Sequence, residues 1–166
     1  MLRHAMAELI RHDPEWNNGN YDKKPTLYMY AAAGQVFTES PVRVQEAAPT
    51  MEAAKALYDK RLAAMMKSGD ANNSLYQLES IYDYSPEADL PKIKAHVLLV
   101  NNAEDFADPP ALGTVERGFK KIAHGTYVLT PYARNTHGHF THYYAAVWKP
   151  YLVKFMAGLP PAPAGK

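Results

Sequence analysis

His96-Val97-Leu98-Leu99-Val100-Asn101, followed by Asn102-Ala103-Glu104-Asp105-Phe106-Ala107-Asp108-Pro109-Pro110, is the stretch whose reading decides the fold. Its first part is a short apolar run, the pattern of a buried parallel strand. Its second part is a turn, with two prolines and three acids placed at the strand's carboxyl end. Leu112, Val115, Phe119 and Ile122 then recur at helical spacing. They predict a helix over residues 110–123, with Gly125 placed to stop it. Residues 126–130 are a second β-rich run, and the loop 131–142 holds His137, His139 and His142. In an open parallel sheet, ligands and catalytic groups gather at the carboxyl ends of the strands. An acid after one strand and a histidine after the next are therefore expected in one crevice. Together they would form the acid–base half of a nucleophile–histidine–acid triad, with Glu104, Asp105 and Asp108 as the acids on offer and His137, His139 and His142 as the histidines.

Upstream of this stretch the patterning is helical. Residues 1–12 predict a helix with Leu2, Met6, Leu9 and Ile10 on one side, ended by Asp13-Pro14. Residues 15–25 read as a polar loop and residues 26–36 as a second helix, in which Tyr28 and Tyr30 are expected to pack. Thr50 is placed to cap a longer helix to Lys67, with Met51, Ala54, Leu57, Tyr58, Leu62 and Met65 as its stripe, ended by Ser68-Gly69. Asp70-Ala71-Asn72-Asn73 offers caps for a further helix carrying Leu75, Leu78, Ile81 and Tyr82. Residues 83–91 are a linker. Residues 143–156 predict a last helix with Tyr144, Val147, Trp148, Tyr151, Leu152 and Phe155 inward. Pro150 inside it predicts a kink or break near Ala146. The domain organisation expected is a helical cap over 1–91, an α/β core over 92–157 and a disordered tail over 158–166.

Composition narrows the function. A chain of 166 residues suffices for one domain with a modest core. Lys and Arg number 18 against 17 Asp and Glu, so a net charge of +1 offers no basic field for nucleic acid or an anionic membrane. The absence of cysteine excludes thiolate chemistry and leaves the compartment open. No apolar run is long enough to span a membrane. The true start is expected to lie upstream, so a signal peptide is not assessable, and cytoplasmic is only the default localisation.

Four segments carry a family resemblance. Asp13-Pro14-Glu15-Trp16-Asn17 with Gly19 and Tyr21, and Asp70-Ala71-Asn72-Asn73-Ser74-Leu75-Tyr76, resemble parts of a helical cap. Residues 93–100 with Asp105 and Pro109-Pro110 resemble a penultimate strand and its acid turn. Thr136-His137-Gly138-His139-Phe140-Thr141-His142 resembles a catalytic-histidine loop. In this order and spacing the chain resembles the carboxy-terminal half of an α/β-hydrolase of the homoserine O-acetyltransferase-like group. The resemblance implies an incomplete α/β-hydrolase fold: a helical cap followed by the last two parallel strands and their helices. It implies Asp105 as triad acid and His139 as triad histidine. The substrate implied is a small acyl ester or thioester, attacked by a serine. Two departures, His137 in place of an arginine and Phe140 in place of a small residue, bear on the acyl pocket. No Gly-x-Ser-x-Gly elbow is present, so nucleophile and oxyanion hole are expected from a missing amino-terminal half.

Other readings compete. Asp105 could simply cap its turn, and His139 could be a hydrogen-bonded loop histidine. Asp108, just before Pro109, is expected to cap the next helix, and Glu104 to be solvated. His137-x-His139-x-x-His142 has metal-ligand spacing, but Thr141 stands where an aspartate is needed and no His, Asp or Glu follows His142. No metal and no cofactor are therefore expected. As a whole, the chain could be a non-catalytic remnant or an interaction module. Alone it is expected to be inactive and to self-associate through a bare strand edge.

Overall fold

The structure, a computed structural model, describes residues 1–36 and 38–161. The expected tail over 158–166 thus lies, from residue 162 on, outside the described residues. The chain divides into two compact units, one of Met1–Gln35 with Gln45–Ser85, the other of Val36–Val44 with the chain from Pro86 onward.

The first unit is helical: α1 (Leu2–Arg11), α2 (Leu27–Ala33), α4 (Met51–Ser68) and α5 (Ala71–Glu79). Met6, Ala7 and Ile10 of α1 meet Tyr28 and Met29 of α2 and Ala71 and Leu75 of α5 in a buried cluster. Helix α2 stops at Gly34, short of the predicted end. Asp13 does more than end α1. Its carboxylate accepts N–H bonds from Glu15 at 3.0 Å, Thr26 at 2.7 Å and Leu27 at 2.9 Å, so it also starts α2. Burial pushes this carboxyl up, but the backbone N–H groups of Leu27, Glu15 and Thr26 outweigh it and hold it below its ordinary value. Thr50 Oγ1 caps α4 by accepting from Ala53 N–H at 3.2 Å, and Asp70 Oδ1 caps α5 from Asn73 N–H at 2.8 Å.

Two segments singled out in the sequence, around Trp16 and around Asn72, are bonded together here. Trp16 Nε1 donates to Asn72 Oδ1 at 2.9 Å, Asn72 Nδ2 to the Gly19 carbonyl at 3.0 Å, and Tyr21 OH to Asp70 Oδ2 at 2.5 Å. The polar loop is therefore pinned. The predicted stripe of α4 is less covered than expected, since no residue of this helix is buried and Met51 is 80% exposed.

A short helix, α3 (Pro41–Ala47), has no counterpart in the sequence reading. Its signal is Ser40-Pro41, a cap residue before a first-turn proline, with Ser40 Oγ accepting from Arg43 N–H at 3.5 Å.

The second unit holds the sheet. Strands β1 (Val97–Asn102) and β2 (Gly125–Thr130) are parallel, in a register running from Val97 opposite Gly125 to Asn102 opposite Thr130. Each starts or ends within a residue of its predicted place. The single helix predicted over 110–123 is instead a 3₁₀ turn, Pro110–Leu112, and a six-residue helix, α6 (Thr114–Phe119). Gly113 divides them because it sits at φ +63°, which no helix accommodates. The last helix, α7 (Ala145–Ala157), starts later than predicted, after a 3₁₀ turn over Phe140–Tyr143, and runs through Pro150 unbroken. Starting at Ala145 puts Pro150 in the second turn, where the Ala146 carbonyl loses its N–H partner. Of the residues predicted to face inward, Val147, Trp148, Tyr151 and Phe155 are half-buried, while Tyr144 and Leu152 are exposed. Val97, Leu98, Leu99 and Val100 are likewise only half-buried, although their pattern is that of a fully covered strand.

Candidate active site

The second unit buries polar residues. Asn101, Asn102, Glu104, Asp105, Thr130, Thr136 and Thr141 are all buried, and each must be satisfied within the protein. Asn102 joins the strand ends: its Nδ2 donates to Thr130 Oγ1 at 3.0 Å, and its Oδ1 accepts the Glu104 N–H at 3.0 Å. Thr130 Oγ1 donates to the Asn101 carbonyl at 3.1 Å, and Asn101 Nδ2 donates to the Asp108 carbonyl at 3.1 Å. The acid turn is thus built on the carboxyl ends of both strands. The register places Asn102 opposite Thr130, and this pairing decides where the two loops leave the sheet.

Asp105 and His139 meet. Asp105 Oδ2 lies 2.9 Å from His139 Nδ1. The other carboxylate oxygen, Oδ1, accepts the N–H groups of Ala107 at 2.9 Å and Asp108 at 3.0 Å. Its side chain is 8% exposed and that of His139 is 32% exposed. A buried carboxylate held by two backbone N–H groups presents its remaining oxygen to the imidazole in one direction. With Nδ1–H donated to Asp105, Nε2 carries the ring's lone pair. These are the electronic requirements of a general base.

Two expectations about the neighbouring acids are corrected. Glu104 is not solvated: it is buried, and its Oε1 accepts the Gly138 N–H at 3.0 Å. Asp108 caps no helix. The turn at Pro110 has Pro109 as its N-cap, with no side-chain bond, and Asp108 Oδ2 lies 3.9 Å from His139 Nδ1 with its side chain 63% exposed. Proline at the cap moved the helix start one residue past the acid.

The other two histidines are used separately. His137 stacks on Tyr144, ring centroids 3.6 Å apart. His142 places Nδ1 2.7 Å from the His139 carbonyl, and its own carbonyl accepts from Trp148 Nε1 at 3.0 Å. Oxygens of Asp105 and Asp108 and a nitrogen of His139 do lie within 4.8 Å of one another. A cation bound through the Nδ1 that meets Asp105 would displace that bond, so through this nitrogen the set could hold a metal or keep the Asp105–His139 bond, not both.

Asp105, Asp108, Gly138 and His139 line one end of a cleft of about 550 Å³. The rest of its wall is largely apolar: Leu98, Leu99, Val100, Val115, Val147, Trp148 and Leu152 among others. Five consecutive residues of β1, Leu98 to Asn102, line it, whereas β2 contributes Thr130 alone. Consecutive strand residues point to opposite faces, so the cleft wraps the edge of β1 that β2 leaves free.

No family model matches the sequence, and no curated protein matches it. The fold is similar to that of a solved esterase. The crystal structure of esterase E22 is 19% identical, with a TM-score of 0.70, and the match covers 93% of this chain and 49% of that chain. A mutant of the same esterase matches over the same shares with a TM-score of 0.71. The chain thus spans about half the length of the solved structures it matches. Its two parallel strands with their helices are part of an α/β-hydrolase fold.

Proposed function

We propose that this chain supplies the acid and base of a serine-dependent acyl-transfer site, as the carboxy-terminal half of an α/β-hydrolase-fold ester hydrolase or acyltransferase. The hydrogen bond between Asp105 and His139, at the carboxyl ends of adjacent parallel strands, is the observation that carries this reading. The homoserine O-acetyltransferase-like motifs and the likeness to an esterase support it. In the reaction a serine Oγ attacks the carbonyl carbon of a small acyl ester or thioester while His139 Nε2 takes its proton. The tetrahedral intermediate collapses, the leaving group receives that proton, and an acyl-serine remains. Water or another acceptor then repeats the sequence in reverse. Asp105 holds the Nδ1–H tautomer and stabilises the imidazolium in both steps.

The serine and its oxyanion donors come from a further segment that pairs with the free edge of β1, along the apolar cleft. The test is reconstitution. The 166-residue chain alone is expected to show no serine-dependent hydrolysis of a p-nitrophenyl ester and to self-associate in light scattering. Joined to a preceding segment bearing Gly-x-Ser-x-Gly, it should label with a fluorophosphonate and turn over the ester. His139→Ala should then cost several orders of magnitude in rate. Turnover by the isolated chain, or a reconstituted protein indifferent to His139→Ala, would sink the proposal.

A further inference from the structure

Glu104 takes no part in the acid–base pair, yet it is buried and spends its carboxylate on one backbone group 34 residues away, the Gly138 N–H. That N–H lies in the peptide joining His137 to Gly138, one residue before His139. Gly138 has φ +61°, and a Cβ on it would lie 2.5 Å from the Glu39 carbonyl carbon and 2.7 Å from Ser40 N. Glu104 therefore holds the Gly138 N–H, and the Glu39–Ser40 backbone fills the space beside the Gly138 Cα. The preceding N–H, of His137, is accepted by Thr141 Oγ1 at 2.9 Å. The backbone from which the imidazole projects has few ways to shift.

We propose that Glu104 is a positioning residue, which by accepting the Gly138 N–H holds the His139 ring in the orientation that meets Asp105. The proposal rests on the reading of Asp105 and His139 as an acid–base pair and adds a second carboxylate to it. Glu104 and Asp105 are consecutive, so one turn attaches to the histidine loop at two points: the His137–Gly138 peptide, and the His139 ring itself. A single attachment at Nδ1 leaves the loop free to pivot about that bond. Two attachments define a direction, and a catalytic base displaced by about 1 Å loses on the order of a hundredfold in rate. A buried carboxylate is also a stronger acceptor for a backbone N–H than a neutral oxygen, which suits a clamp.

The test reads the ring rather than turnover. In the protein with ¹⁵N-labelled histidine, the ring nitrogen shifts at alkaline pH should report His139 as the Nδ1–H tautomer. Glu104→Gln retains an acceptor and should leave this tautomer unchanged. Glu104→Met, of similar size without an acceptor, should give a tautomer mixture and speed Gly138 amide exchange by about tenfold or more. Should the Met variant not fold, exchange in the parent protein still decides: Gly138 must be protected, and exchange at the rate of an open loop would overturn the proposal. So would a Met variant that loses thermal stability but keeps the Nδ1–H tautomer, or a Gln variant that behaves like Met. None of these readings depends on acyl transfer, so failure of the reconstitution would not be mistaken for failure of the clamp.

Discussion

The two units bury opposite things. In the helical unit the buried side chains are apolar: Met6, Ala7, Ile10, Tyr28, Met29, Ala33, Ala48, Ala71 and Leu75, with Asp13 as the buried charge among the described residues. In the sheet unit, among the described residues, Ile122 is the buried large apolar side chain, and the other buried side chains are Ser40, Asn101, Asn102, Glu104, Asp105, Thr130, Thr136 and Thr141. The first is organised by the hydrophobic effect, the second by hydrogen bonds between loops. A polar network is satisfied by a few specific partners and needs no large covering surface. An apolar strand face needs another layer to exclude water. The sheet unit therefore has its polar network assembled while Leu98, Val100, Val147 and Trp148 are only half-covered in the cleft.

The contrast should show first in core truncations. Ile10→Ala or Met29→Ala should cost about 2–5 kcal/mol in urea unfolding, as deletions of well-packed residues do. Leu98→Ala or Val100→Ala should cost about 1 kcal/mol or less, because much of each side chain already faces water. Equal losses at both sets would break the comparison.

Next in size is Gly138→Ala. A left-handed backbone and a Cβ against Glu39 and Ser40 should cost about 1–3 kcal/mol, with loss of the fixed His139 tautomer. Gly158→Ala is the control. Its φ is −90°, and a Cβ there would meet nothing closer than the Phe155 carbonyl at 3.6 Å. It should fall within about 0.5 kcal/mol of the parent.

Helix caps come third. Thr50→Ala should cost about 1 kcal/mol. Asp70→Ala should cost more, because Asp70 also accepts from Tyr21. A reversed order would show that the Tyr21 bond contributes nothing to stability.

The smallest expected effect is a pH dependence. The Asn73 N–H and the Tyr21 hydroxyl hold the Asp70 carboxyl below its ordinary value of 3.8. A lowered folded value means that the unfolded chain binds its proton first. The stabilisation is thus complete well above that ordinary value and is lost as pH falls through the folded one. Tyr21 is raised above its ordinary 10.0, chiefly by its bond to Asp70, so its contribution is present below that pH and lost as pH rises through the folded value. Tyr21→Phe should flatten both ends of the stability–pH curve, measured by urea midpoints. A curve that keeps its shape would show that the pair does not form in solution.

What the sequence determined by itself was whatever short-range pattern controls. The strands at 97–102 and 125–130, the caps Thr50 and Asp70, and the ends of α1 and α4 follow from local apolar runs and cap residues, which act within a few positions of themselves. An acid and a histidine at the ends of successive strands were likewise readable, since parallel topology alone directs them to one side. Tertiary structure decided the rest. A glutamate in a polar turn reads as solvated until a glycine N–H 34 residues later is brought to it. An aspartate before proline reads as a cap until the proline itself takes that place. The stripes of α4 and α7 read as core, but whether a stripe is buried depends on what packs against it. Patterning says which face of an element seeks cover, and only the assembled chain says whether cover arrives.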